Sequence, residues 1–316
     1  MNSIPYFIGP MSKNIVDAIL EYVEETGVKI GLIPSRRQVE YNGGYVNNWT
    51  TEQFAKYINK RVLIKRDHSG PGQGLLEDDG YVSLREDCKY FDVIHIDPWK
   101  KYSSYAEGLK WTVEMISFCF SQNPNLHYEV GTEQAIREFT PDELDMLMQD
   151  LKSQLPKMVF DKIKYLVIQS GTSLKATQNT GVYSQDKLQH MVDVARKWNL
   201  ISKEHNGDYI PHILIKTKMN LGLDSINIAP EFGLIETQTY LDNGIDVEKF
   251  WEICFNSNRW VKWVDSSFDP IKQKVDLIKI CGHYVLSTPE FQEIKPNIDS
   301  IIKSNIKNKL NELYGQ

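Results

Sequence analysis

Cysteine is scarce in this chain of 316 residues: Cys88, Cys119, Cys254 and Cys281 are all that it holds, and they lie far apart. No CxxC pair and no Cys/His ligand spacing occurs, which argues against both a disulfide framework and a structural zinc site. No apolar run reaches the roughly 18 residues of a membrane-spanning helix. The N-terminus, MNSIPYFIGPMSKN, lacks a basic segment followed by a long apolar stretch, so a cytoplasmic protein is expected. The sequon Asn48-Trp49-Thr50 is then a chance match. Basic charge is short as well: 36 Lys and Arg stand against 42 Asp and Glu, a net charge of −6 with a pI near 5.7. That balance argues against a nucleic-acid or membrane-surface binder, whose phosphate-rich partners call for a basic face. There is no internal repeat, no low-complexity segment and no Pro/Ser-rich linker.

What is present is the mix of a soluble globular protein, 41% hydrophobic and 25% charged. At 36.6 kDa the chain can bury a large core, as one big domain or two modest ones. Short apolar runs alternate with stretches of helical length. The strand candidates are Tyr6–Gly9, Val28–Ser35, Arg61–Asp67, Phe91–Asp97, Leu126–Gly131, Tyr165–Gln169, Leu200–His205 and Leu223–Ala229. Helices are expected over Lys13–Glu25, Thr51–Asn59, Glu107–Phe120, Pro141–Leu155 and Gln185–Trp198. Capping oxygens and early acids mark two starts, at Thr51-Glu52 and at Thr140-Pro141-Asp142-Glu143. The glycine-rich stretch Ser69–Gly80 reads as a loop, with no clear helix before Phe91.

Strand alternating with helix implies parallel strands joined by right-handed crossovers. Eight such units in about 240 residues are the usual size of a closed (β/α)8 TIM barrel. An open doubly wound sheet is the runner-up, but no GxGxxG follows the first strand. The expected division is a barrel over 1–246 and a helical C-terminal extension over 247–316. The extension carries the amphipathic run Glu248–Val264, where Trp251, Trp260 and Trp263 read as core or subunit interface.

Alternation along the strands separates an aliphatic face from a polar one. Ile94 and Ile96 oppose His95 and Asp97; Leu166 and Ile168 oppose Val167 and Gln169; Ile226 and Ile228 oppose Ser225 and Asn227; Lys203 and His205 fall together. A purely structural barrel interior is filled with Val, Ile and Leu, and interior charges cost several kcal/mol, roughly, unless paired or ligated. The polar set near the C-terminal strand ends is therefore best read as an active site. Asp67-His68 followed by a glycine-rich loop suits a metal ligand beside a general acid/base; the plain alternative is a turn with a satisfied Asp–His pair. A second cluster runs from Lys203 through His205 and Asn206 to Tyr209. His95, His127, His190, His212 and His283 read as packed or solvated. Gln169-Ser170-Gly171-Thr172-Ser173 offers backbone N–H groups to an anion such as phosphate, a role that Asn42-Gly43-Gly44 with Arg36 and Arg37 can share. Glu129 with Glu133, and Glu231 with Glu236, serve acid/base or structural ends; spacing does not decide.

Several stretches together resemble a known family. They are Gly43-Gly44-Tyr45, Thr51-Glu52-Gln53-Phe54, Asp67-His68-Ser69-Gly70-Pro71, Ile94-His95-Ile96-Asp97, Val130-Gly131-Thr132-Glu133, Lys203-Glu204-His205-Asn206-Gly207-Asp208-Tyr209 and Asn227-Ile228-Ala229-Pro230-Glu231-Phe232-Gly233. In order over about residues 30–240, they resemble the tagatose-bisphosphate aldolase "non-catalytic subunit" family, itself similar to the class II, zinc-dependent ketose-bisphosphate aldolases. The resemblance implies a (β/α)8 barrel with Asp67 as catalytic acid, His68 and His205 as zinc ligands, and Asn227 near the bound phosphate. Where those aldolases place a further zinc-binding histidine, this chain has Gln169, a poor ligand by comparison. Two histidines plus a carboxylate, Glu129 or Asp97, would then hold the divalent ion.

Two functions follow as expectations. One is a metal-dependent aldolase acting on a phosphorylated sugar or related carbonyl compound, with Ser170–Ser173 holding a phosphate. The other is a non-catalytic barrel subunit that supports a partner aldolase, as a homo-oligomer or with a second chain. A metal-free lyase using Lys203 or Lys65 through a Schiff base is a third. Neither nucleic acid nor membrane is expected as a partner.

Overall fold

The computed structural model describes residues 3–315. Eight parallel strands close a barrel: β1 (Tyr6–Ile8), β2 (Ile30–Leu32), β3 (Leu63–Ser69), β4 (Val93–Ile96), β5 (His127–Val130), β6 (Ile163–Ile168), β9 (Ile201–Glu204) and β10 (Ser225–Ile228), in the order β1-β10-β9-β6-β5-β4-β3-β2. The remaining two strands, β7 (Leu174–Lys175) and β8 (Gln178–Asn179), form a small antiparallel ribbon in the loop after β6. The expected (β/α)8 barrel is thus the fold, and each of the eight strand candidates contributes one of its staves.

Helix ends obey local chemistry. Ser12 accepts from the Ile15 amide to start helix Lys13–Thr26, and Gly27 ends it in the left-handed region at φ 73°. Thr50 and Gln53 form a capping box on helix Thr51–Ile58, and Thr140 with Pro141 opens helix Pro141–Gln154. One crossover helix, Tyr81–Tyr90, is invisible to such signals, because Gly80 precedes it with no capping side chain. Helices His212–Asn220 and Pro230–Asp242 complete the outer ring.

The two faces of the strands pack into separate cores. Ile94, Ile96, Leu166, Ile168, Ile226 and Ile228 join the large cluster between barrel and helices. Phe7, Ile33, Val93 and Tyr165 form a small one of their own inside the barrel. So few apolar side chains leave the rest of the interior to polar ones, above all Lys65, Lys203, Glu129 and His95, none of which reaches solvent. A shift of register in the β3–β4 pairing between Arg66 and Ser69 lies where Asp67 and His68 leave the strand, the local distortion that re-aims side chains beside a site.

After Ile245 the described chain is helical, with helices Val247–Asn256, Lys274–Cys281, Pro289–Ile294 and Asp299–Tyr314 and a short turn at Val261–Trp263. The run Glu248–Val264 is therefore broken, not one helix. Buried residues of these helices, such as Phe250, Ile278, Ile302 and Ile306, belong to the same large core as the barrel. The last helix seats under the barrel's N-terminal end: Tyr6 Oη donates to Leu313 O at 2.8 Å and Tyr314 Oη to Lys29 O at 2.7 Å. No helix among the described residues is long and apolar enough to cross a membrane.

Candidate active site

Four side chains meet at the C-terminal mouth: ligand atoms of Asp67, His68, His95 and His205 all lie within 4.8 Å of one another. β3 supplies the first two, β4 supplies His95, and the turn after β9 supplies His205. His68 holds a left-handed backbone at φ 44°, unusual for a residue with a Cβ, and its amide points at His95 Nδ1, 3.2 Å away.

Hydrogen bonds on the far side of each ring set its tautomer. His68 Nδ1–H donates to Asp97 Oδ2 at 2.6 Å. His95 Nε2–H donates to the Gly131 carbonyl at 2.9 Å. His205 Nε2–H donates to Glu129 Oε1 at 3.0 Å. Nε2 of His68 and Nδ1 of His205 are thereby turned inward, the arrangement that second partners impose on metal-binding imidazoles, while His95 Nδ1 accepts from the His68 amide. His68 Nε2 and His205 Nδ1 face each other at 3.3 Å. Asp67 lies across from both, its Oδ2 3.8 Å from His68 Nε2 and its Oδ1 3.8 Å from His205 Nδ1.

Charge at the site follows from these neighbours. Burial, then the neighbouring rings of His68 and His205, drives His95 well below the ordinary histidine range, and burial likewise drives down His205. For His68 burial works the same way, but the carboxylates of Asp67 and Asp97 outweigh it and push the ring up to about 10. Asp67 sits below its usual range: burial opposes its charge, and His68, His205, Lys203 and Lys65 overcome that. With no metal bound, the site holds its positive charge as a proton on His68.

Beneath the cluster Glu129 meets Lys65 and lies 3.8 Å from Lys203. Burial lowers both lysines. Lys203 Nζ rests 3.6 Å from the centre of the Phe7 ring, so these amines are walled in below the cavity.

The cavity above measures about 320 Å³ and is lined by Asp67, His68, His205, Asn206, Asn227 and Arg37 among others. Asn227 Nδ2 donates to Asp67 Oδ1 at 3.3 Å, while its Oδ1 has no partner among the described residues. Glu133 also lines it, and burial lifts its carboxyl above the usual range.

Other residues singled out from the sequence have different neighbours. Asp97 is outside the converging group and instead orients His68, also accepting from Thr132 Oγ1 at 3.2 Å. Gln169 spends its amide on the Thr132 and Arg137 carbonyls, both at 2.8 Å, and on the Phe139 N–H at 3.0 Å. Ser170 and Thr172, on either side of Gly171, both donate to Glu204, which is paired with Lys218 at 2.7 Å. Arg36 is buried against Glu40 and Asp78 at 2.7 and 2.5 Å and organises the loop after β3. Glu231 binds Lys309 at 2.8 Å and the Tyr209 amide at 2.9 Å, outside the cavity that holds the histidines. His95 was hidden in the sequence by its mid-strand position; its alternation with Asp97 was the signal.

Fold and site together define a (β/α)8 barrel with a histidine–carboxylate centre at its mouth, and solved structures share that fold. The chain matches a probable tagatose 6-phosphate kinase from Sinorhizobium meliloti 1021 with a TM-score of 0.75 over 99% of both chains, at 13% identity. It matches a fructose-bisphosphate aldolase from Campylobacter jejuni with a TM-score of 0.59, at 12% identity over 99% of this chain and 90% of that one. The YdjI aldolase from Escherichia coli K12 gives 0.54, at 13% identity over 92% and 90%. No family model matches the chain. Among curated proteins, an aspartate–ammonia ligase from Ruminiclostridium cellulolyticum is 26% identical over 167 residues, a stretch that spans 48% of this chain and 48% of that enzyme, about half its length.

Proposed function

We propose that the chain is a metal-dependent lyase of the class II aldolase type, breaking or forming a carbon–carbon bond in a phosphorylated sugar or a related carbonyl compound. One observation carries this reading: ring nitrogens of three imidazoles, each ring fixed by a hydrogen bond from its other nitrogen, gather with Asp67 within 4.8 Å of one another. Three neutral imidazoles with an open side suit a catalytic divalent ion of the zinc type. Gln169, the residue standing where the resembled aldolases place a further histidine, is spent on the loop behind the site, and His95 brings the third imidazole from another strand. An ion held by His68, His95 and His205 would supply Lewis-acid polarisation of the substrate carbonyl.

The remaining chemistry belongs to the chain's own groups. Asp67, kept ionised and steadied by Asn227, takes the proton from the hydroxyl on the carbon that becomes the aldehyde. The carbon–carbon bond then breaks, and its electron pair stays on the fragment next to the ketone. Glu133, raised by burial, faces the same cavity and returns a proton to that carbon. Asn227 Oδ1, buried and unpartnered, is free to accept from a substrate hydroxyl. The completeness of this set supports an enzyme over a barrel that only supports a partner. The likeness to solved aldolases is consistent with it at the level of fold.

The test is cleavage of a panel of phosphorylated ketoses by the full chain supplied with zinc, followed by release of aldehyde. At least one ketose should be cleaved, with loss on chelation, recovery on adding metal back, and a fall of roughly a hundredfold or more in Asp67→Asn. No cleavage across the panel, or cleavage indifferent to chelation, overturns the reading.

A further inference from the structure

The C-terminal extension lines two cavities. Lys262, Trp263, His283 and Tyr284 form one wall of the cavity that holds the histidines. A second, outer cavity of about 620 Å³ lies between helix Pro230–Asp242 of the barrel and helices Lys274–Cys281 and Asp299–Tyr314 of the extension. Two segments wall both. In the ribbon after β6, Leu174 lines the inner cavity and Thr177, at the turn, lines the outer one. In the loop after β9, His205, Asn206 and Asp208 line the inner cavity and Tyr209 the outer one. Asn179 of the ribbon joins the two segments, donating from Nδ2 to the Asn206 and Asp208 carbonyls at 3.2 and 3.3 Å.

This shared wall has little slack. Ala176, Asn206 and Tyr209 hold left-handed backbone, at φ 53°, 63° and 59°, a region that residues with a Cβ seldom occupy and keep only where the surroundings impose it. Gly207 lies so close to β10 that a Cβ there would come to 2.7 Å from the Asn227 carbonyl oxygen. Asp208 Oδ1 accepts from the Ala229 and Glu231 amides, both at 2.8 Å, and Glu231 in turn accepts from the Tyr209 amide. A displacement of Tyr209 is therefore passed on to Asn206 and Asn227 in the inner cavity, because close-packed neighbours do not absorb it.

The lining of the outer cavity suits a neutral ligand. Leu234 and Ile235 give it an apolar strip, and Gln238, Asn305 and Asn308 give it amides that both donate and accept. The Lys279 ammonium and the Tyr209 hydroxyl, also in the lining, have no hydrogen bond among the described residues. Asp242 and Glu231 on the same lining repel an anion, and Lys279 repels a cation. Hydroxyl groups, each a donor and an acceptor, match the polar set, and the C–H face of a sugar matches the strip. We propose that the outer cavity binds a neutral polyhydroxylated molecule, an unphosphorylated sugar or sugar alcohol, and that its occupation reaches the active-site loop through Tyr209. A ligand that fixes Tyr209 favours one arrangement of the loop that carries His205 and Asn206, and by linkage a ligand in the inner cavity alters affinity in the outer one. Binding and its effect on the loop do not rest on the lyase reading; only a change in turnover would.

The probes are D-glucose, D-galactose and D-sorbitol, titrated by calorimetry into the metal-free full chain, with hydrogen exchange over residues 205–209 followed by mass spectrometry at saturation. At least one probe should bind saturably, and equally well in Lys157→Met, a change at an exposed lysine outside both linings. Gln238→Leu and Lys279→Met, checked for unchanged circular dichroism and melting, should each bind about tenfold more weakly or worse. Exchange over 205–209 should slow about fivefold or more on binding. A double variant, His68→Ala with His205→Ala, should bind the probe as wild type does. No saturable binding of any probe, undiminished binding in either Gln238→Leu or Lys279→Met, or binding that leaves exchange over 205–209 unchanged, each overturns the proposal. Binding lost in the histidine variant would place the sugar in the inner cavity and overturn it too. Should a probe bind as described while no ketose is cleaved, the lyase reading fails and the outer site stands.

Discussion

His205 Nδ1 lies 3.3 Å from His68 Nε2, across 137 positions of sequence. Each ring is held from behind by a carboxylate, Glu129 for His205 and Asp97 for His68. Two imidazole nitrogens so held would present lone pair to lone pair unless a cation lies between them. In the free protein that cation is a proton, because His68 is pushed up to about 10 by Asp67 and Asp97 against the effect of burial. A divalent ion bound as proposed would compete for the same place.

Metal binding should therefore release about one proton at neutral pH. His205 and His95, lowered by burial, are already neutral and contribute none. His68 is raised, so it carries its proton below about pH 10 and must lose it to ligate; apparent affinity should climb as pH rises toward that value. Calorimetry of zinc binding in buffers of different ionisation enthalpy gives the proton count. No release at pH 7 would mean that His68 is already neutral or does not ligate.

The carboxylates behind the rings should matter nearly as much as the rings. Asp97→Asn and Glu129→Gln keep the shape but weaken the hold on His68 and His205, and each should cost roughly 10- to 100-fold in metal affinity. Chelator competition measures it. Asp97→Asn should also lower the pKa of His68, visible by NMR of the metal-free protein, since it removes one of the three carboxylates, Asp67, Asp97 and Glu133, that raise it.

Glu231 should prove dispensable for chemistry. It bridges Lys309 and the Tyr209 amide, away from the histidines. Glu231→Gln retains an acceptor for that amide and loses a largely buried ion pair, though Lys309 keeps Glu312 at 3.1 Å, so stability should fall by about 1–3 kcal/mol. Denaturant melts check the stability, and turnover of whichever ketose the panel identifies should stay within a few-fold.

Much of this was legible in the sequence, for a physical reason. Barrel strands buried on both faces still alternate when one face is aliphatic and the other polar, and Ile94-His95-Ile96-Asp97 shows that alternation plainly. The same alternation put His95 on the interior face, but a histidine within a strand looks like core packing until its neighbours across the barrel are known. Asp97 and Gln169 sit at strand ends, where position alone cannot tell a ligand from a residue that orients one; only the partners of each oxygen and nitrogen decide. The helix Tyr81–Tyr90 went unread because a left-handed glycine at φ 78° stands where a capping side chain would signal a start. Lys262 was out of reach: nothing local ties a turn near the end of the chain to the mouth of a barrel.

The most direct test of the central claim is a titration of zinc into the metal-free full chain, with His95→Ala beside it. His95 is the ligand the geometry adds, and its removal leaves two imidazoles and Asp67. The account predicts one zinc per chain in the wild type and an affinity lower by tenfold or more in His95→Ala. Substoichiometric binding in the wild type, or an affinity unchanged without His95, would contradict it.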